Sequence, residues 1–117
     1  MKIRIVEDDE AIRLLLQRII EDDTHEVELV DLDFAANFAK LKQEAEWIGV
    51  DAVICDQMLG SGLTGIELLA YLKEHFPGIR RVMLSAMSQK EADPGGVSDV
   101  FLQKPASQKL IRKALGD

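Results

Sequence analysis

A chain of 117 residues with 47% apolar and 30% charged side chains has the size of one domain and the means to build one core, which excludes a disordered chain. Its formal net charge of −7 excludes nucleic acid and anionic membrane surfaces as default partners, because both demand a basic face. The single cysteine, Cys55, excludes an internal disulfide and fits a reducing, cytoplasmic setting, and the apolar runs fall far short of the ~20 residues of a membrane span.

Met1 leads directly into strand-like sequence, so no signal peptide is expected. Lys2 to Val6 reads as a first strand. Asp9 to Glu21 reads as a helix, with Ile12, Leu15, Leu16 and Ile19 at helical spacing and Asp9 as its cap. Glu26 to Val30 is a weaker second strand, and Asp33 to Trp47 a second helix striped by Phe34, Phe38, Leu41 and Ala45. Val50 to Cys55 is a third strand, whose unbroken apolar run Ala52 to Cys55 marks burial on both faces, as in a parallel sheet. Gly60 to Leu63 is a loop. Thr64 to Phe76 is a helix opened by Thr64 and Glu67 at capping-box spacing and stopped by Pro77-Gly78. Arg81 to Ser85 and Val97 to Leu102 read as the fourth and fifth strands, and Ala106 to Leu115 as a closing helix capped by Ser107. Between the last two strands, Pro94-Gly95-Gly96 leaves the fourth helix of the pattern room for about two turns. Alternating strands and helices predict an open parallel sheet with helices on both faces, and ligands bind such sheets outside the carboxyl ends of the strands.

Three carboxylates fall at those ends: Glu7 and Asp8 after the first strand and Asp56 after the third. Ionised carboxylates within ~5 Å repel by about 3 kcal/mol per pair at an effective dielectric near 20, so such a site must raise a pKa or hold a cation. Mg²⁺ suits carboxylate oxygens and keeps several waters. Lys104 ends the fifth strand before Pro105, which removes a donor and biases its neighbour toward an extended backbone, aiming the ammonium along the sheet edge. Ser85 ends the fourth strand, where its hydroxyl is placed to donate to a phosphoryl oxygen. A divalent cation and a phosphoryl group are the ligands this set describes.

In these residues the chain resembles the response-regulator receiver domain of bacterial two-component signalling. The resemblance covers essentially residues 1–117 and rests on Ile5-Val6-Glu7-Asp8-Asp9, Asp56 followed by Met58-Leu59 and Gly65-Ile66-Glu67-Leu68, Ser85-Ala86, and Phe101-Leu102-Gln103-Lys104-Pro105. It implies a flavodoxin-like, doubly wound five-stranded sheet of order 2-1-3-4-5. It implies that Asp56 accepts a phosphoryl group from a phosphohistidine on a sensor histidine kinase or a histidine phosphotransfer protein. Mg²⁺ is then held by Glu7, Asp8, Asp56 and the backbone carbonyl of Met58. Lys104 pairs with the phosphoryl oxygens, Ser85 swings toward them, and Phe101 moves inward as space opens. Such a domain is a phosphoacceptor switch, not an enzyme on a separate substrate. It signals to a downstream protein or an attached output domain, and the resemblance leaves room for a phosphorylation-dependent dimer.

Three features depart from the commonest family pattern. The loop after Asp56 lacks a proline after Leu59 and carries Gly60 and Gly62 instead; the fourth helix is eroded; and the positions two after Asp56 and two after Ser85 are Met58 and Met87, which cannot orient an attacking water. Phe101 has a second reading beside the switch, as an ordinary core aromatic of a terminal strand. His25 and His75 read as surface residues, Cys55 as a small core residue facing away from Asp56, and Trp47 as packing at a helix end. Two rivals stand beside the receiver. A phosphohydrolase working through an aspartyl phosphate is disfavoured because Met58 stands where such enzymes usually place a second acid. A vestigial, non-phosphorylated interaction module is kept alive by the short fourth helix.

Overall fold

The structure, a computed structural model, describes residues 1–21, 25–30, 43, 46–57 and 64–116. In chain order it comprises β1 (Lys2–Val6), α1 (Glu10–Ile20), β2 (Glu26–Leu29), β3 (Ala52–Cys55), α2 (Gly65–His75), β4 (Arg80–Ser85), α3 (Gln89–Ala92), β5 (Val100–Gln103) and α4 (Gln108–Ala114). The strands form one sheet of order β2-β1-β3-β4-β5 with every pair parallel, the flavodoxin-like arrangement expected. The helix expected from Asp33 to Trp47 lies almost wholly outside the described residues. Its end is described: residues 46–49 form a turn in which Val50 N–H bonds the Trp47 carbonyl, and Gly49 takes φ +82°, a conformation open to glycine.

Alternate strand residues feed two cores. Ile3, Ile5, Ala52, Ile54, Val82 and Leu84 face one way and meet Leu16 and Ile20 of α1 and Ile111 and Ala114 of α4. Val6, Val53, Cys55 and Met83 face the other way and meet Leu68, Leu69 and Leu72 of α2, Ala92 of α3 and Trp47. Both faces of β3 are therefore buried, which is why Ala52 to Cys55 is apolar without interruption. Among the described residues each helix starts at a side-chain cap. Asp9, Thr64, Ser88 and Ser107 accept the amides of Ile12, Glu67, Glu91 and Leu110, satisfying donors that have no intrahelical partner. Among the described residues no helix is long and apolar enough to cross a membrane.

The structure corrects the sequence reading in three places. Leu15 is 55% exposed, because the stripe that faces the sheet runs through Leu16 and Ile20, flanked by the half-buried Ile12 and Ile19. His25, expected at the surface, is buried at the entry to β2. Trp47 packs as expected, fully buried beneath the guanidinium of Arg4, 4.7 Å from its ring centroid. The fifth strand begins at Val100, not Val97. The buried carboxylate of Asp93 accepts the Val97 and Ser98 amides, at 2.8 and 3.0 Å, and the Ser98 hydroxyl, holding those residues in a turn. Burial opposes the Asp93 charge, but these hydrogen bonds outweigh it and hold the carboxyl below the ordinary aspartate value. Arg81 completes the turn by reaching the Val97 carbonyl and both oxygens of Asp99. The helix between β4 and β5 is short, as expected: α3 has four residues.

Gly65 opens α2 against the end of β3. A Cβ there would overlap the carbonyl oxygen of Asp56 and lie 3.0 Å from its carbonyl carbon and 3.1 Å from the Gln57 Cα, all backbone atoms that cannot swing aside. Gly65→Ala is expected to destabilise the fold by about 3 kcal/mol, the cost of overpacking against fixed atoms, read as a lowered urea midpoint with an unchanged slope.

Candidate functional site

The register of the sheet builds the site. Val6 of β1 lies opposite Cys55 of β3, so the next residues, Glu7 and Asp56, emerge side by side, with the Asp56 amide donating to the Val6 carbonyl at 3.1 Å. Ser85 of β4 lies opposite Gln103 of β5, and the Lys104 amide bonds the Ser85 carbonyl at 2.8 Å. Lys104 thus starts two strands away from Asp56, roughly 10 Å at ordinary strand spacing, a distance its long stem spans. The Lys104–Pro105 peptide bond is cis.

The ammonium of Lys104 ends 2.9 Å from Glu7 Oε2 and 3.0 Å from Asp56 Oδ2. Glu7 is 2% exposed, and its other oxygen accepts the Asp9 amide at 3.2 Å. Asp56 Oδ1 accepts the Gln57 amide at 2.7 Å. Asp8 is exposed, and Glu7, Asp8 and Asp56 each offer a carboxylate oxygen within 4.8 Å of the others. Sequence-expected Glu7, Asp8, Asp56 and Lys104 are therefore brought together. Asp9 caps α1, as expected.

The electrostatics follow from counting charges. Three ionised carboxylates against one ammonium leave two negative charges uncompensated. Burial pushes the Glu7 carboxyl up to about 7; the hydrogen bond from Lys104 pulls it down, and the Asp56 charge adds to the rise. Burial also disfavours the Lys104 ammonium, but hydrogen bonds to Glu7 and Asp56 outweigh it and hold its pKa above the ordinary lysine value. Because the folded value for Glu7 lies above the unfolded one, its contribution to stability is complete below pH 4.5 and is lost as pH rises through about 7. Oxygen-only donors with excess negative charge are the chemistry of a hard divalent cation such as Mg²⁺.

Ser85 is buried, and its Oγ accepts the Met87 amide at 3.2 Å. Phe101 is half-buried and packs with Met87 and Val97 against the core that contains Met83 and Ala92. Met58, with the loop from Gly60 to Leu63, lies outside the described residues. Cys55 is buried in the core, its thiol pushed well up by burial. His75 is exposed and stacks on Tyr71, with centroids 4.5 Å apart. Sequence reasoning missed Gln57. It is buried, its backbone oxygen accepts the Gly65 amide and its side-chain oxygen the Ile66 amide, each at 2.9 Å. The only signal was its place beside Asp56, since a polar residue that continues a buried strand needs a partner.

A family model described as the response regulator receiver domain matches residues 3–116. None of the curated proteins compared with the chain matches it. Among solved structures, a response regulator receiver domain protein from Clostridium thermocellum is similar at a TM-score of 0.79 and 19% identity, over 98% of this chain and 90% of that one. The response regulator TrrA from Thermotoga maritima, solved in complex with Mg²⁺-BeF, gives 0.79 and 19% over 98% and 96%. A CheY-like receiver domain protein from Methanospirillum hungatei gives 0.76 and 25% over 98% and 93%. The parallel sheet of order β2-β1-β3-β4-β5 is thus shared with receiver structures across nearly the whole chain, and the match over residues 3–116 places this protein in the response regulator receiver domain family.

Proposed function

We propose that the protein is a Mg²⁺-dependent phosphoacceptor switch of a two-component system, in which Asp56 takes a phosphoryl group from a phosphohistidine. The observation that carries this reading is the Lys104 ammonium within 3.0 Å of both Glu7 and Asp56, beside a third carboxylate from Asp8. A carboxylate oxygen of Asp56 attacks phosphorus, the P–N bond to imidazole breaks, and the imidazole leaves as the neutral ring once protonated. The product is an acyl phosphate. Transfer of this kind asks the protein for in-line positioning and charge neutralisation rather than covalent help. Lys104 neutralises oxygens on one side, and Glu7, Asp8 and Asp56 would hold Mg²⁺, which supplies charge neutralisation at the phosphoryl oxygens. Ser85 donates its hydroxyl to the added group, and Phe101 adjusts by packing alone, having no hydroxyl. The donor is a sensor kinase or a phosphotransfer protein, and the output goes to a downstream protein or an attached domain. The protein does not turn over a separate substrate.

Acetyl phosphate with Mg²⁺ should add one phosphoryl group to the native chain, read by intact mass, and none to Asp56→Asn or without the metal. No gain under any condition would instead favour a vestigial interaction module, the reading that the four-residue α3 supports.

The raised Glu7 pKa sets a pH dependence. The cation competes with the proton on Glu7, so apparent Mg²⁺ affinity should strengthen about tenfold between pH 6 and 8, measured by titration at each pH. A flat profile would contradict the assignment of Glu7 as a ligand.

Met87 follows the end of β4 and packs into the apolar cluster around Phe101. A thioether does not orient water for attack on the acyl phosphate, so phospho-Asp56 should be long-lived, and Met87→Glu should speed its loss by about tenfold, the low end of what a positioned base contributes. Rapid loss of label at a rate indifferent to that substitution would overturn this.

A further inference from the structure

Resting on the receiver reading, we infer that Gln57 is a positioning residue, whose side-chain oxygen ties the start of α2 to the peptide that holds the Asp56 carboxylate. The first amides of a helix have no intrahelical partner. In α2 those of Gly65 and Ile66 are taken by one residue outside the helix: the Gln57 carbonyl and the Gln57 Oε1, each at 2.9 Å. Thr64 Oγ1 takes the third, from Glu67. Gln57 is buried, and its own amide donates to Asp56 Oδ1 at 2.7 Å. The Asp56 amide in turn bonds the Val6 carbonyl of β1. The carboxylate is therefore held between β1 and α2, and the orientation of the donor that fixes Oδ1 depends on both ends of Gln57. The absent Cβ of Gly65, which lets the helix sit against the Asp56 carbonyl, is the packing counterpart of the same contact.

Gln57→Met keeps the size and apolar stem of the side chain but removes the accepting oxygen, leaving the Ile66 amide without its partner. Gln57→Glu keeps an acceptor at the same reach, and its charge is favoured at a helix N-terminus. The three proteins are labelled with acetyl phosphate at saturating Mg²⁺ and saturating donor, below the melting temperature of each, with intact mass followed in time. Wild type is expected to label, Gln57→Met about tenfold more slowly through loss of positioning, and Gln57→Glu within about threefold of wild type. Amide exchange at Ile66 should rise in Gln57→Met alone. If Gln57→Met does not fold, Gln57→Asn, whose shorter amide cannot reach Ile66, takes its place with the same expectation. A folded Gln57→Met that labels at the wild-type rate, even with a lowered melting temperature, assigns Gln57 a purely structural role and overturns the inference while leaving the receiver reading intact. A Gln57→Glu as slow as Gln57→Met overturns it as well. Failure of wild type to label overturns the receiver reading itself, and this inference with it.

Discussion

The ammonium of Lys104, shared between Glu7 and Asp56, is the interaction on which the arrangement of this molecule turns. It joins residues 97 and 48 positions apart in sequence and closes the carboxyl edge of the sheet across β1, β3 and β5. Two buried carboxylates that share one ammonium would repel strongly without it. Lys104 nevertheless compensates only part of the acidic charge, and burial, helped by the neighbouring Asp56 charge, still pushes the Glu7 carboxyl up to about 7. A site built to be over-neutralised by its own lysine would have no use for a cation, whereas this one retains a deficit that a divalent ion matches.

The position of Lys104 depends in turn on charges buried far from the site. Asp93 and Arg81 hold residues Val97 to Asp99 in a turn and thereby set where β5 begins. That start fixes the pairing of Phe101 with Met83 and of Gln103 with Ser85, and so places Lys104 at the sheet edge. A slip of one residue would exchange the two faces of β5, turning Phe101 out of its core. Arg4 plays the corresponding part in β1. It is buried, stacked on Trp47, and paired with Glu28 and Glu46. A buried arginine is tolerated because its charge is paired, and breaking such a set costs more than the set contributes in place.

How much of this was legible in the sequence follows from the kind of signal each part leaves. The parallel sheet was legible because burial on both faces erases strand alternation, and Ala52 to Cys55 carries that mark. The cluster of Glu7, Asp8, Asp56 and Lys104 was legible because each follows an apolar run, and strand ends converge. The start of β5 was not. Val97 is apolar and half-buried, and only the tertiary contacts of Asp93 and Arg81 remove it from the strand. Leu15 misled for a related reason: helical spacing names a stripe but not its edge, and the residue one step aside faces solvent. His25 and Gln57 are polar residues that the fold buries, and Gln57 finds its partners at the start of α2, across a loop, which no local pattern announces.

The charge balance of the site also constrains what the proposed reaction can leave behind. On the receiver reading, transfer converts the Asp56 carboxylate into an acyl phosphate that carries up to two negative charges, a net gain of about one beside Glu7 and Asp8. With Lys104 protonated and a divalent ion held by the acids, that gain is the only uncompensated charge among these groups, and on that same reading Ser85, whose Oγ accepts the Met87 amide, is the group that answers it. The Ser85 Oγ accepts the Met87 amide through a lone pair, so its proton stays available to the new charge, and Met87 and Phe101 both pack against the core that contains Ala92 of α3. On that reading the connection from charge to packing runs through residues 85–101, which hold the four-residue α3, the shortest helix among the described residues.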